Sequence, residues 1–166
     1  KNPTPHLGDM TATNPCGEQP LLPYESCNLG SINLNKFLIE KDSKKEIDWD
    51  RLGNVVNTSA RFLDNVIDAN SYSVDKIKKM TRSTRKTGLG VMGFADLLIS
   101  LDIAYDSEEG LNLGKKIMQF VKDEADSTSE KLAEERGVFP AYPGSIYDND
   151  DQPKMRNACR LTVAPT

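Results

Sequence analysis

Residues 14–20 read Asn-Pro-Cys-Gly-Glu-Gln-Pro, and residues 26–31 read Ser-Cys-Asn-Leu-Gly-Ser. Proline lacks a backbone donor and fixes φ, so the proline-rich first 24 residues are predicted to be loop or extended chain. In extended chain, side chains two positions apart point the same way, so Asn14, Cys16 and Glu18 would face one ligand together. They offer an amide, a sulfur and a carboxylate that can accept or return a proton. The pattern therefore indicates a reactive loop.

Each of these residues also has a purely structural interpretation. Cys16 and Cys27 could be small buried hydrophobic residues, which is the common fate of a free cysteine. Glu18 could be a solvated loop carboxylate, and Asn14 could form a turn before proline. Cys27 lies eleven residues after Cys16, and a hairpin-like return could bring it within disulfide reach of another thiol. Spacing alone leaves these alternatives open.

Composition narrows the class of protein. The chain has 166 residues, 37% of them hydrophobic and 28% charged, which fits one folded domain. No apolar run approaches the about 18 residues of a membrane span, and a net charge of −4 with pI near 5.1 argues against nucleic-acid binding. Three cysteines without an export signal favour the cytoplasm over a disulfide framework. The lone His6 disfavours a zinc site or a Ser-His-Asp triad, so no metal is expected.

Hydrophobic periodicity predicts a helix-rich chain. The spacing predicts helices over 49–69, 73–80 and 107–136, with Asp48, Ser73 and Asp106 as their N-terminal caps and Gly137 as a left-handed C-terminal residue. A short helix is expected to begin near Ser31, a basic connector over 82–88, and a strand over 159–164 without an obvious partner. A helical layer without its sheet is incomplete, and the chain lacks an initiator Met, so a fragment of a longer protein is expected.

A second motif in the sequence is rich in glycine. Residues 88–93 spell Gly-Leu-Gly-Val-Met-Gly, the GxGxxG pattern of dinucleotide-binding loops. That fingerprint requires a buried strand immediately before it. Residues 78–87 are instead rich in Lys and Arg, so close helix packing is the preferred explanation of these glycines.

Two stretches, Asn14–Gln19 and Glu25–Leu34, closely resemble the catalytic finger loop of the large subunit of ribonucleotide reductase. Further collinear similarity covers Arg85–Leu98, Ala104–Glu109, Arg156–Ala158 and Leu161–Thr166, and thus essentially the whole chain. The resemblance implies a helix-rich α/β fragment of the family's ten-stranded α/β barrel, with all of residues 1–166 belonging to that barrel domain. The finger loop would cover about 9–24, a helical layer about 31–136, and a strand about 159–164.

The resemblance also implies roles for four side chains. Cys16 matches the cysteine whose thiyl radical removes hydrogen from the ribose C3′. Glu18 matches the carboxylate that takes the 3′-hydroxyl proton, and Asn14 matches the amide that binds the substrate hydroxyls. Cys27 matches one of two redox-active thiols that close to a disulfide, with its partner expected on a strand outside this chain.

Two further assignments concern the end of the sequence. Pro165 and Thr166 resemble the start of the loop that binds the substrate phosphate. Cys159 matches no functional cysteine of the family and is interpreted as structural.

The Cys-Gly-Glu-Gln-Pro form of the loop looks most like the class II enzymes, which use adenosylcobalamin. A nucleoside di- or triphosphate substrate, a dithiol or thioredoxin-like reductant and the rest of the reductase chain are the implied partners, with no membrane and no nucleic acid. The alternatives are a class I large subunit, whose radical comes from a second protein, and a non-catalytic reductase-like module retained for packing or subunit contact. Because much of the barrel would be missing, the finger loop is expected to be exposed and poorly held.

Overall fold

The computed structural model describes residues 1–164, in which a small parallel sheet packs against long helices. The four helices are α1 (Trp49–Ala69), α2 (Asp75–Thr84), α3 (Phe94–Ser100) and α4 (Glu108–Arg136). The six strands are β1 (Ala12–Thr13), β2 (Pro20–Leu21), β3 (Asn28–Asn33), β4 (Leu38–Lys41), β5 (Lys44–Ile47) and β6 (Thr87–Met92). Short 3₁₀ turns cover Pro5–Leu7 and Leu34–Phe37. In residues 1–164 no helix is both long and apolar enough to cross a membrane.

Strand β6 is the centre of the parallel sheet. On one side it pairs with β3, in register from Asn28 opposite Thr87 to Asn33 opposite Met92. On its other side the Leu89 amide donates to the Arg160 carbonyl at 2.9 Å, and the Thr162 amide donates to the Leu89 carbonyl at 3.1 Å. The segment 159–164 therefore does have a partner, contrary to expectation, although it forms a single bridge at Leu161 and not a full strand.

The glycine motif is part of this sheet. Gly88 and Gly90 lie within β6, and a Cβ at Gly88 would come within 2.5 Å of side-chain atoms of Leu29 and Thr162. Gly93, with φ of +70°, precedes α3. The motif is the strand itself and not a loop after a strand. Gly88 and Gly90 therefore allow close packing of neighbouring segments of the sheet, and the helix packing predicted for them is wrong.

The two long helices are the most accurately predicted elements. Helix α1 covers 49–69 as expected, and the Asp48 side chain accepts from the Arg51 amide at 3.0 Å. Helix α4 begins after Ser107, whose hydroxyl accepts from the Gly110 amide at 3.0 Å, so the cap predicted at Asp106 is wrong by one residue. Gly137 ends the helix with φ of +82° but ψ of 162°, outside the left-handed helical region.

Other local predictions are corrected by the structure. Residues 28–33 form β3 and not the start of a helix near Ser31, because parallel pairing with β6 satisfies their backbone groups. Helix α2 begins at Asp75 after Val74, without the predicted Ser73 cap, and runs to Thr84, into the supposed connector. The interval 31–136 thus contains β4, β5 and β6 beside its helices.

The main core lies where α1 and α4 cover the sheet. Its fully buried members are contributed by α1, β6, α3 and α4, namely Leu52, Val56, Leu89, Leu97, Ile117, Val121 and Ala125. Burial of such side chains stabilises the fold by about 1.5–3 kcal/mol each. A second small cluster around Phe139 and Tyr142 fixes the loop after α4, so this loop can carry the chain back to β6.

A buried polar cluster around Asp64 connects the same elements. Its carboxylate, which has no solvent exposure, accepts from Arg85 at 2.8 Å, Arg136 at 3.2 Å and Arg156 at 3.4 Å. The Asn157 amide donates to the same group at 2.9 Å. The cluster ties α1 and α4 to the start of β6 and to the C-terminal segment, which holds residues 157–162 beside β6.

Candidate active site

The cysteine-bearing loop is a tight hairpin. Strands β1 and β2 pair antiparallel, and the tip between them is closed by the Asn14 amide donating to the Gln19 carbonyl at 3.3 Å. The Asn14 side-chain oxygen accepts from the Gln19 amide at 3.0 Å, and the Gly17 amide donates to the Asn14 carbonyl at 3.0 Å. Gly17 has φ of +80°, which glycine adopts without strain. Asn14 thus stabilises the turn in addition to any role toward a ligand.

Cys16 is at the tip of this hairpin, with its side chain exposed and its thiol free. Because residues 14–19 form a turn and not an extended strand, the expected alternation of side chains does not apply here. Cys16 faces solvent, whereas the Glu18 carboxylate points inward. The structure therefore brings Asn14, Cys16 and Glu18 into one turn but does not align them on one face.

Glu18 has the most informative environment of the three residues. Both of its carboxylate oxygens are buried, and neither has a hydrogen-bond partner among residues 1–164. It lines a cavity of about 390 Å³ together with Gln19, Pro20, Lys86 and Cys159. A buried carboxylate without a partner is costly, so this group is available to a ligand that donates a hydrogen bond.

The hairpin is held more firmly than the sequence analysis expected. The Thr162 hydroxyl donates to the Glu18 carbonyl at 3.1 Å, and the Lys86 ammonium donates to the Pro20 carbonyl at 3.2 Å. Gln19 and Leu22 are 4% and 2% exposed. The predicted exposure of Cys16 agrees with the structure, but the prediction of a poorly held loop is wrong.

Cys27 is half-buried just before β3, and its thiol is also free. Burial raises the pKa of Cys27 to about 11, with smaller electrostatic contributions from the neighbouring Cys159 and Glu18 side chains. The positive charge of Lys86 acts in the opposite direction on the same pKa. Glu18 and Cys159 therefore lie close enough to Cys27 to influence its pKa. With this raised pKa, the Cys27 thiol is protonated at neutral pH.

A buried ion pair under the hairpin was missed by sequence reasoning. Lys86 and Glu25 have side-chain exposures of 1% and 0%, and their charged atoms are 2.7 Å apart. The Glu25 carboxylate also accepts from the Leu22 amide at 2.8 Å. Lysine and glutamate are rarely buried unless they are paired, and no local pattern connects residues 61 positions apart.

Cys159, Pro165 and Thr166 are the remaining predicted positions. Cys159, interpreted as structural, is half-buried and lines the Glu18 cavity, and its thiol donates to the Leu161 carbonyl at 3.4 Å. Pro165 and Thr166 lie outside the described residues. Residues 1–164 contain no group of three or more His, Cys, Asp or Glu side chains that could hold a metal ion.

The fold and the site together define an α/β protein in which a hairpin, anchored beside a parallel β-sheet, presents a free thiol. The sequence matches the family described as "Ribonucleotide reductase, barrel domain" over residues 1–166. The chain belongs to this family, which confirms the resemblance found in the sequence.

Individual relatives agree with this assignment. The chain is 59% identical over 166 residues to the vitamin B12-dependent ribonucleoside-diphosphate reductase of Thermoplasma acidophilum, covering all of this chain and 21% of the relative. It is 50% identical over 165 residues to the protein of the same name in Mycobacterium tuberculosis (strain CDC 1551 / Oshkosh), covering 99% and 23%. The chain thus spans about a fifth of the length of these relatives.

A solved structure matches the fold. The alpha subunit of the Actinobacillus ureae class Id ribonucleotide reductase superposes with a TM-score of 0.75 at 26% identity, covering 95% of this chain and 29% of that one. The predicted fold class, a helix-rich α/β piece of the reductase barrel, is therefore confirmed.

Proposed function

We propose that this chain supplies the finger loop and part of the barrel of a catalytic ribonucleotide reductase subunit, which makes deoxyribonucleotides for DNA synthesis. The observation that supports the proposal is the hairpin tip. It presents a free, exposed Cys16 thiol two residues before a buried Glu18 carboxylate that has no partner among residues 1–164. The proposed chemistry requires both a thiol that can exchange a hydrogen atom and a carboxylate that can accept a hydroxyl proton, and this one turn carries the two groups.

In the proposed mechanism the Cys16 thiyl takes the hydrogen atom from the ribose C3′, and Glu18 accepts the proton of the 3′-hydroxyl. The 2′-hydroxyl then leaves as water. Cys27 and a second thiol, assigned by the resemblance to a strand outside these residues, give up two electrons and two protons and close to a disulfide. One of these protons completes the leaving water, and the other goes with one electron to C2′. The second electron goes to the 3′-carbonyl, together with the proton that Glu18 returns. Cys16 returns its hydrogen atom to C3′, which regenerates the thiyl.

Asn14 has a more restricted part in this scheme. Its side-chain oxygen already accepts from the Gln19 amide, so its NH₂ group is the part that binds a substrate hydroxyl. Proton transfer from the 3′-hydroxyl stays with Glu18, because an amide does not act as a base at neutral pH. For the substrate phosphate we propose the loop that begins with Pro165 and Thr166.

The names of the relatives support a substrate and a source of the radical for this proposal. Both vitamin B12-dependent relatives are named ribonucleoside-diphosphate reductases, which supports a ribonucleoside diphosphate as the substrate. Their 59% and 50% identity exceeds the 37% of the ribonucleoside-diphosphate reductase subunit alpha of Chlamydia pneumoniae. This difference favours adenosylcobalamin over a radical supplied by a second subunit.

The residues present fit such a cofactor. Bound adenosylcobalamin supplies a carbon radical that can take a hydrogen atom from a thiol. The exposed Cys16 at the hairpin tip is open to a group that approaches from outside the described residues. Glu18, oriented inward, is kept for the substrate.

A dithiol or thioredoxin-like protein is the proposed reductant for Cys27 and its partner. We also propose a cytoplasmic location, which the three free cysteines support. A reducing compartment keeps such thiols available between turnovers.

The test uses the full-length reductase that contains this sequence. With adenosylcobalamin, dithiothreitol and a ribonucleoside diphosphate, we expect deoxyribonucleoside diphosphate, and we expect none when the cobalamin is omitted. Activity that needs a second radical-generating subunit instead would establish the class I alternative. Inactivity under both conditions would support the non-catalytic alternative.

A further inference from the structure

We propose that Lys86 is a positioning residue of the active site. Together with Glu25 it fixes the return strand of the hairpin, so that the Glu18 carboxylate stays in its cavity. The inference rests on the proposed function, and it concerns a residue that the sequence placed in a basic connector.

The contacts of Lys86 converge on the strand that follows Glu18. Its ammonium donates to the Pro20 carbonyl at 3.2 Å and to Glu25 at 2.7 Å. The same Glu25 oxygen accepts from the Leu22 amide at 2.8 Å. Backbone groups on both sides of Leu21 are thus attached, directly or through Glu25, to one side chain at the start of β6.

A contribution to the stability of the fold does not by itself explain the buried ion pair of Lys86 and Glu25. Removing two charges from water costs several kcal/mol per ion, and buried ion pairs are often no more stabilising than apolar residues of similar volume. The hairpin, however, has little apolar surface, and its exposed strands β1 and β2 are two residues long. Directional hydrogen bonds from a buried ammonium can fix such a backbone where packing cannot.

Glu18 is the group on which this arrangement acts. It lies two residues before Pro20, and Lys86, Pro20 and Glu18 line the same cavity. The Thr162 hydroxyl, on the C-terminal segment beside β6, holds the Glu18 carbonyl. If the Lys86 contact is lost, the hairpin keeps the Thr162 contact to the Glu18 carbonyl but loses its hold on Pro20. Glu18 can then move away from the reacting position, and a displacement of about 1 Å can cost about a hundredfold in rate.

The experiment uses the full-length reductase with the double substitution Lys86→Met and Glu25→Gln. This variant removes both charges together, because Lys86→Met alone would leave an unpaired buried carboxylate and could unfold the protein. Glutamine keeps an oxygen for the Leu22 amide. The matched control is Asp68→Asn, which weakens the 2.8 Å ion pair of the neighbouring Arg85 and does not touch the hairpin.

Two measurements are made on each protein. For the double variant we expect kcat to fall at least about tenfold, with KM for the nucleotide changed less than about threefold. Amide hydrogen exchange should accelerate at Thr11 and Asn14 of the hairpin and stay unchanged at Leu89 of β6. Asp68→Asn should leave kcat and hairpin exchange unchanged.

Several outcomes would overturn the inference. An unchanged kcat in the double variant would do so, as would exchange that accelerates equally at Leu89, which indicates general destabilisation. If the unmodified enzyme makes no deoxynucleotide, the proposed function fails, and the exchange measurement then decides by itself whether Lys86 holds the hairpin.

Discussion

Gly90 lies directly against the backbone of Thr162: a Cβ at Gly90 would be 2.4 Å from the Thr162 carbonyl oxygen. No real Cβ tolerates such a distance, and backbone cannot rotate away as a side chain can. The C-terminal segment therefore reaches β6 because position 90 has no side chain. Since the Thr162 hydroxyl binds the Glu18 carbonyl, this glycine also contributes to the geometry of the candidate active site.

Gly90→Ala should lower the free energy of unfolding by about 1–3 kcal/mol, because the new methyl forces the two segments apart. Gly30→Ala is the matched control, since the nearest atom to a Cβ at Gly30 is 3.7 Å away and its change should be under about 1 kcal/mol. Urea unfolding followed by the fluorescence of the single tryptophan, Trp49, measures both. Equal effects of the two substitutions would contradict the close-approach argument.

Asp64→Asn should lower the free energy of unfolding by about 3–5 kcal/mol. The substitution leaves Arg85, Arg136 and Arg156 without their shared buried counter-charge, and removal of one partner of a buried pair is costly. Glu135→Gln, which breaks the exposed pair with Arg61, should not shift the urea midpoint measurably. A similar small shift for Asp64→Asn would show that the cluster does not hold the C-terminal segment.

Thiol alkylation should distinguish Cys27 from Cys16. The pKa of Cys27 is raised to about 11, so near pH 8 the thiolate is rare and its reaction with iodoacetamide should be at least about tenfold slower than that of an ordinary free thiol. The rate at Cys27 should rise about tenfold per pH unit between pH 8 and 10, because deprotonation is incomplete throughout this range. Peptide mass spectrometry assigns each rate, with the exposed Cys16 as the fast internal reference. Equal rates at pH 8 would contradict this environment for Cys27.

Serine substitutions in the full-length enzyme should separate the proposed roles of the same two cysteines. Cys16→Ser should abolish turnover, because an alcohol O–H gives up a hydrogen atom far less readily than a thiol. Cys27→Ser should permit one turnover on pre-reduced enzyme but fail in multiple turnovers with dithiol. Rapid-quench measurement of the first turnover compares the two variants, and equal loss in that measurement would contradict the division of roles.

Local sequence signals predicted the elements that local interactions stabilise. The apolar spacing of residues 49–69 and the cap at Asp48 predicted both ends of α1 correctly. Both signals are local, because they lie in the helix or directly before it. Strands β3 and β6 were not predicted, because each is stabilised by pairing with the other and the paired residues are 59 positions apart in the sequence. In addition, the glycines of β6 and the preceding Arg85 and Lys86 resemble a connector in the sequence, because their buried partners are distant along the chain.

The candidate active site shows the same contrast between local sequence signals and contacts of distant segments. Cys16, Glu18 and Asn14 form a short motif that can be found in the sequence, and they occupy one turn in the structure. Their orientations were not predictable, because the turn at Gly17 breaks the alternation expected of extended chain. Lys86 and Thr162 were not identified, since their relation to the hairpin exists only after distant segments have packed.

The two attachments of the hairpin have a consequence for how the protein is made. Lys86 binds Pro20 across 66 positions, and Thr162 binds Glu18 across 144 positions. Synthesis proceeds from the N-terminus, so the ribosome adds Cys16 well before Thr162, and the support of the hairpin is complete only after Thr162 has emerged. A nascent chain therefore carries the thiol on a hairpin that lacks part of its support until Thr162 has emerged, and the geometry around Glu18 is complete only after that point.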